Sequence, residues 1–146
     1  MARRHILLAS PEAKSPGAEL AFKQLSDTVS VMPAEDGLTC VRQFMELAQT
    51  GVGPLVTIID YHTTEISGPS LAHALRSMER GFGLTPSAIV MRCEASDREA
   101  VAALIPNLGR AVQLTKKPAY TEEQQMKRLV KACEKVLVQL KGRGKR

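Results

Sequence analysis

The stretch LVTIIDYHTTEISG, residues 55–68, sets a short apolar run before a single acid and a polar loop that ends in glycine. The run is rich in β-branched residues, which is typical of a strand that is buried on both faces of a sheet. Asp60 closes the run. The pattern therefore predicts a buried strand that carries one carboxylate at its C-terminal end.

Further short apolar runs lie along the chain and alternate with longer segments of helical period. The other predicted strands are residues 5–9, 28–32, 87–91 and 110–114. Helical faces are predicted at Leu38, Val41, Met45 and Ala48, at Leu71, Leu75 and Met78, and from Met126 to Leu140 after a capping box of Thr121 and Gln124. This alternation predicts a parallel sheet with helices on both faces, in which binding sites lie at the carboxyl ends of the strands.

The composition indicates one soluble domain without disulfides or a membrane span. A chain of 146 residues is within the usual size of a single domain. The three cysteines, Cys40, Cys93 and Cys133, are widely spaced within apolar patterns, which indicates reduced thiols in a cytoplasmic protein. Every apolar run falls short of the about 20 residues that a membrane-spanning helix needs.

The net charge of +5 is concentrated at the two ends of the chain. The last six residues, KGRGKR, carry four positive charges, and Arg3 and Arg4 carry two more, so that removing these six from +5 leaves −1 for the rest. We therefore predict one domain over residues 1–140, followed by a basic tail over residues 141–146. The tail has no aromatic residue for stacking on bases, which disfavours nucleic-acid binding.

Three motifs in order resemble the receiver domain, the CheY-like domain of two-component response regulators. VMPAEDG (31–37) resembles its second strand and acidic turn, residues 55–68 resemble its phosphoacceptor strand and loop, and LTKKPAY (114–120) resembles its lysine–proline turn. The resemblance covers about residues 4–140. It implies a doubly wound α/β fold with five strands in the order 2-1-3-4-5 and five helices.

The resemblance also assigns roles to individual residues. Asp60 falls at the phosphoacceptor position and Lys117 at the lysine position, with Lys116 as the alternative. A divalent cation such as Mg²⁺ would be held by Asp60, by the backbone carbonyl of His62 and, weakly, by Glu12.

The sequence departs from the family pattern where the metal and the phosphoryl group would bind. The acidic pair after the first strand is replaced by Ala9 and Ser10, or by Ser10 and Pro11. Arg92 stands at the position of the Ser or Thr that contacts the phosphoryl group. Its side chain could bind a phosphoryl group, form a standing ion pair with Asp60, or point to solvent. The aromatic switch position holds Leu114 or Gln113.

We therefore predict a receiver-type signalling module of a two-component phosphorelay that is not an enzyme and regulates by protein–protein interaction. It is atypical or phosphorylation-independent and uses no cofactor, or binds Mg²⁺ weakly. The expected partners are a histidine kinase or phosphotransfer protein, a downstream effector, or a second copy that binds through the fourth helix, fifth strand and fifth helix. Membrane association is not expected, and the chain is either a stand-alone receiver or one cut from a larger regulator.

Two alternatives stay open at this point. The first is an ordinary phosphorylatable receiver that uses Asp60, with Glu12 or Glu94 in place of the missing metal ligands. The second is a nucleic-acid-associated protein that binds through residues 141–146.

Overall fold

The computed structural model describes residues 4–25 and 29–144, with side chains described up to residue 140. The predicted start of the second strand at residue 28, Arg3, and the end of the basic tail lie outside the described residues. None of the helices within the described ranges combines the length and the apolar character needed to cross a membrane.

The described residues form alternating strands and helices. The elements are β1 (Arg4–Ala9), α1 (Pro16–Phe22), β2 (Val29–Ala34), α2 (Gly37–Gln49), β3 (Val56–Asp60), α3 (Gly68–Phe82), β4 (Ala88–Cys93), α4 (Arg98–Leu104), β5 (Ala111–Thr115) and α5 (Glu122–Gly144). Short 3₁₀ turns, Ala95–Asp97 and Ile105–Leu108, flank α4. The strands are parallel and lie in the order β2-β1-β3-β4-β5, which confirms the predicted fold class and strand order.

Alternate residues of the central strands pack on opposite faces of the sheet. Ile6, Leu8, Ile58 and Val90 pack with α1 and α5 on one face. Leu7, Ile59 and Met91 pack with α2, α3 and α4 on the other. Because both faces are covered, β3 and β4 are buried along their whole length, as the apolar run of residues 55–60 predicted.

The predicted apolar face of α2 is wrong for two of its residues. Leu38 and Met45 are 41% and 42% exposed, whereas Ala48 is buried. The buried face consists of Cys40, Phe44, Leu47 and Ala48. The helix carries two apolar stripes of similar period, and the stripe that contains the large ring of Phe44 packs against the sheet.

Candidate functional site

The candidate site lies at the C-terminal edge of the sheet, where three neighbouring strands end. Asp60 is the last residue of β3, and the parallel register sets it beside Arg92 on β4. Ser10 follows β1 directly, and its backbone N–H donates to the carbonyl of Ala34 at 3.0 Å. The three side chains therefore come from adjacent strands, where the doubly wound topology places ligand sites.

The loop after Asp60 is held tightly against the end of β3 by Gly68. The Gly68 N–H donates to the carbonyl of Tyr61 at 3.1 Å. A Cβ atom at Gly68 would lie 2.5 Å from the backbone oxygen of Asp60, which leaves no room for a side chain. The glycine that the sequence places at the end of this loop is thus required by the close approach of α3 to β3.

Asp60 and Arg92 form a buried, two-pronged ion pair. The Arg92 Nε donates to Asp60 Oδ1 at 2.7 Å, and Nη2 donates to Oδ2 at 2.8 Å. Only 6% of Asp60 and 1% of Arg92 is exposed. Ser10 Oγ also donates to Asp60 Oδ2, at 2.6 Å. Both carboxylate oxygens of Asp60 therefore accept hydrogen bonds from the chain itself, in the strongest geometry that arginine and carboxylate form.

Glu12 extends the ion pair to the loop after β1. Arg92 Nη2 donates to Glu12 Oε2 at 3.0 Å, and the Glu12 backbone N–H donates to Ser10 Oγ at 3.1 Å. The Glu12 side chain is 43% exposed. Burial acts to lower the pKa of Arg92, but hydrogen bonds and charge from Asp60, and then from Glu12, outweigh it and raise that pKa. Arg92 is therefore a fixed cation that joins two carboxylates.

One donor of Arg92 is left over. Its Nη1 is buried and meets no acceptor among the described residues. Arg92 also borders an open cavity of about 180 Å³, together with Glu12, Asp60 and His62.

The lysine beside the site is Lys116. Lys116 lines the cavity, and its Nζ lies 3.1 Å from Glu94 Oε1 with the side chain 20% exposed. Lys117, which the motif assigned to the site, is exposed and places its Nζ 5.3 Å from the ring centre of Tyr120. The Lys116 N–H donates to the carbonyl of Cys93 at 2.8 Å, which extends the ladder of β5 by one residue and turns Lys117 outward.

The remaining sequence-predicted residues lie around the cavity or next to it. His62 is largely exposed, and its Nε2 is 2.8 Å from Asp97 Oδ2. Leu114 packs on the α1 and α5 face, whereas Gln113 Nε2 donates to the carbonyl of Arg98 at 2.8 Å. Sequence reasoning treated Ser10 only as a lost acid and missed its bond to Asp60. A hydroxyl next to a carboxylate at the same strand edge was the signal.

The residues present do not fit Mg²⁺, which prefers several carboxylate oxygens in octahedral geometry. Both Asp60 oxygens and Glu12 Oε2 accept bonds from Arg92 or Ser10, and Ala9 offers no ligand side chain. Within the described residues, no group of three His, Cys, Asp or Glu side chains is placed to hold a metal ion. The guanidinium instead supplies positive charge at Asp60.

Known structures share this fold at low sequence identity. The phosphorylated cyanobacterial phytochrome response regulator RcpA matches with a TM-score of 0.68 and 14% identity over 91% of this chain and 92% of that one. The Mn²⁺-bound form of response regulator Rcp1 gives 0.64 and 16% over 88% and 92%. A CheY-like receiver domain protein from Methanospirillum hungatei gives 0.64 and 15% over 97% and 99%.

No protein-family model and no curated protein matches the sequence. The structural likeness shows that the chain has the fold of response regulator receiver domains, as the three motifs predicted. A shared fold does not by itself carry the function, which has to be argued from the site.

Proposed function

We propose that this chain is a receiver-type signalling module that regulates other proteins by direct contact and does not depend on phosphorylation of Asp60. The observation that carries this proposal is the engagement of both Asp60 oxygens by Arg92 and Ser10. The receiver fold and the position of Asp60 at the end of β3 support the signalling class.

Phosphoryl transfer to a carboxylate needs a free oxygen as nucleophile and a cation that neutralises charge on the transferred group. In this chain the two oxygens of Asp60 are already hydrogen-bonded within a buried ion pair. An incoming phosphoryl donor would have to separate Arg92 from Asp60 first. Separation would leave Asp60 with only the Ser10 hydroxyl and Arg92 with only the partly exposed Glu12, and breaking a buried ion pair is costly.

Of the three orientations that the sequence left open for Arg92, the structure has the one directed at Asp60. In the family pattern, a Ser or Thr at this position hydrogen-bonds the phosphoryl group and couples it to the switch. A permanent ion pair with Asp60 would hold the Arg92 side chain against Asp60 without any phosphoryl group. We infer that the module rests in one signalling state until a partner binds.

The surface of α4, β5 and α5 supports the proposed role in protein contacts. It exposes apolar side chains at Val112 on β5, at Tyr120 before α5 and at Val138 on α5, where 67% of Val138 is accessible. A downstream effector, a kinase or phosphotransfer protein, or a second copy of the chain would bind here.

Attempted phosphorylation tests the proposal directly. The protein is incubated with Mg²⁺ and acetyl phosphate, or with beryllofluoride, and intact mass spectrometry and NMR follow the result; Asp60→Asn serves as the control. We expect no added phosphoryl mass and no Mg²⁺-dependent shift near Tyr61. A modification of the wild type that requires Mg²⁺ and disappears in Asp60→Asn would favour an ordinary phosphorylatable receiver.

A further inference from the structure

We propose that the guanidinium of Arg92 is a built-in cation that closes the Asp60 site to divalent metal ions. This inference rests on the proposed function and names the residue that regulates the site. The competing explanation is that the site lacks metal affinity only because Ala9 and Ser10 replace an acidic pair. The two explanations assign the loss to different side chains, so they can be separated.

The geometry favours Arg92 as the cause. Three of the four oxygens that Asp60 and Glu12 present accept bonds from one guanidinium, at 2.7, 2.8 and 3.0 Å. A metal ion at Asp60 would need the same oxygens. Asp60 and Glu12 therefore still lie at this edge of the sheet, but only Glu12 Oε1 does not accept a bond from Arg92.

Burial makes this competition one-sided. Arg92 is 1% exposed and is tethered to β4, so it does not have to be recruited from solution. A divalent ion would have to displace the guanidinium of Arg92, which is buried and has no path to solvent without breaking its ion pair. Mg²⁺ in addition loses its hydration water reluctantly. Adding one more carboxylate while Arg92 stays in place would not remove this barrier.

The Ser10 hydroxyl complements the Arg92 guanidinium at this site. Its hydroxyl donates to Asp60 Oδ2 and accepts from the Glu12 N–H, so it is used in both directions without adding charge. Arg92 contributes one positive charge against the two carboxylates. An acid at position 10 would lose the bond to Asp60, but it could accept from Arg92 Nη2, which lies 3.3 Å from Ser10 Oγ, so Arg92 would still neutralise charge at the site.

Calorimetric titration with MgCl₂, without any phosphoryl donor, tests the inference on four proteins. These are the wild type, Ser10→Asp, Arg92→Thr and the double variant. We expect no measurable binding by the wild type or by Ser10→Asp, weak binding by Arg92→Thr, and binding about tenfold tighter by the double variant, since an added charged ligand raises cation affinity.

Circular dichroism and cooperative thermal unfolding verify that each variant is folded. Binding by Ser10→Asp that equals that of the double variant would overturn the inference, because Arg92 would still be present. A folded double variant that ignores Mg²⁺ would overturn it too.

A measurement on the wild type keeps the test decisive if removal of Arg92 prevents folding. The Nε–H resonance of Arg92 in nitrogen-15 NMR should be unchanged by MgCl₂ relative to NaCl of equal ionic strength. A Mg²⁺-specific shift of that resonance would contradict the inference.

The two proposals fail in different ways. Modification of Asp60 without measurable Mg²⁺ binding by the wild type would contradict the proposed function and leave the role of Arg92 intact. Mg²⁺ binding by the wild type without modification of Asp60 would contradict the role of Arg92 and leave the proposed function intact.

Discussion

Two buried arginines lie at opposite ends of the sheet, and their partners differ in kind. Arg76 of α3 lies at the end where β4 and β5 begin, and it binds mostly backbone. It donates to the carbonyls of Ser87, Leu108 and Arg110 at 2.7, 2.8 and 3.0 Å. Its Nη1 also bonds Glu79 Oε1 at 2.7 Å, and Glu79 Oε2 accepts from the Ser87 N–H at 2.6 Å.

The guanidinium of Arg92 bonds only side chains, and its Nη1 has no acceptor among the described residues. In Arg76, by contrast, each guanidinium nitrogen donates to an acceptor among the described residues. Arg76 therefore holds three backbone segments together, whereas Arg92 neutralises carboxylates at the end of the sheet. Arg76 joins distant backbone segments, whereas we propose that Arg92 limits what the receiver edge can bind.

The largest effect is expected from Arg76→Met. The substitution removes the bonds to three carbonyls and leaves Glu79, which is 2% exposed, as an unpaired buried charge. The free energy of unfolding should fall by about 3–5 kcal/mol, the usual cost of breaking a buried ion pair. Urea denaturation followed by circular dichroism measures it.

The double variant Arg76→Met/Glu79→Leu is the matched control, because it removes both charges. We expect it to be more stable than Arg76→Met alone. A loss of less than about 1 kcal/mol in the single variant, the range of exposed pairs, would show that water reaches Arg76 in solution.

A smaller loss, about 2 kcal/mol, is expected from Arg92→Met, because Asp60 retains the Ser10 hydrogen bond and no backbone carbonyl loses a donor. Adding Asp60→Asn to this variant should recover part of the loss. If Arg92→Met proved as destabilising as Arg76→Met, Arg92 would be an anchor of the fold and the contrast between the two arginines would fail.

Local pattern was enough to predict the sheet and the position of Asp60. Short β-branched runs and the loop to Gly68 are local signals, and the strand order followed from the resemblance that they carried. The orientation of Arg92 could not be read from the sequence, since it depends on which neighbouring strand offers a carboxylate. The register of β3 and β4 places Asp60 directly beside Arg92.

Arg76 was missed for a related reason. RSMERG, residues 76–81, looks like an exposed helical surface with an i,i+3 ion pair. Its burial depends on the turn before β5 folding over α3, which is a contact between distant segments. The sequence left two adjoining lysines open, and in the structure Lys116 borders the cavity because β5 continues to it.

The smallest effect is expected from Glu12→Gln. Glu12 is half exposed, so solvent screens its attraction to Arg92, and a glutamine oxygen can still accept from Nη2. The free energy of unfolding should fall by about 0.5 kcal/mol. Glu123→Gln on α5 is the matched control, because Glu123 pairs with Lys127 at 3.2 Å with both side chains 63% exposed. We expect no measurable change in that control. If the two substitutions had equal effects, Glu12 would contribute nothing to holding Arg92, and the guanidinium would be fixed by Asp60 and Ser10 alone.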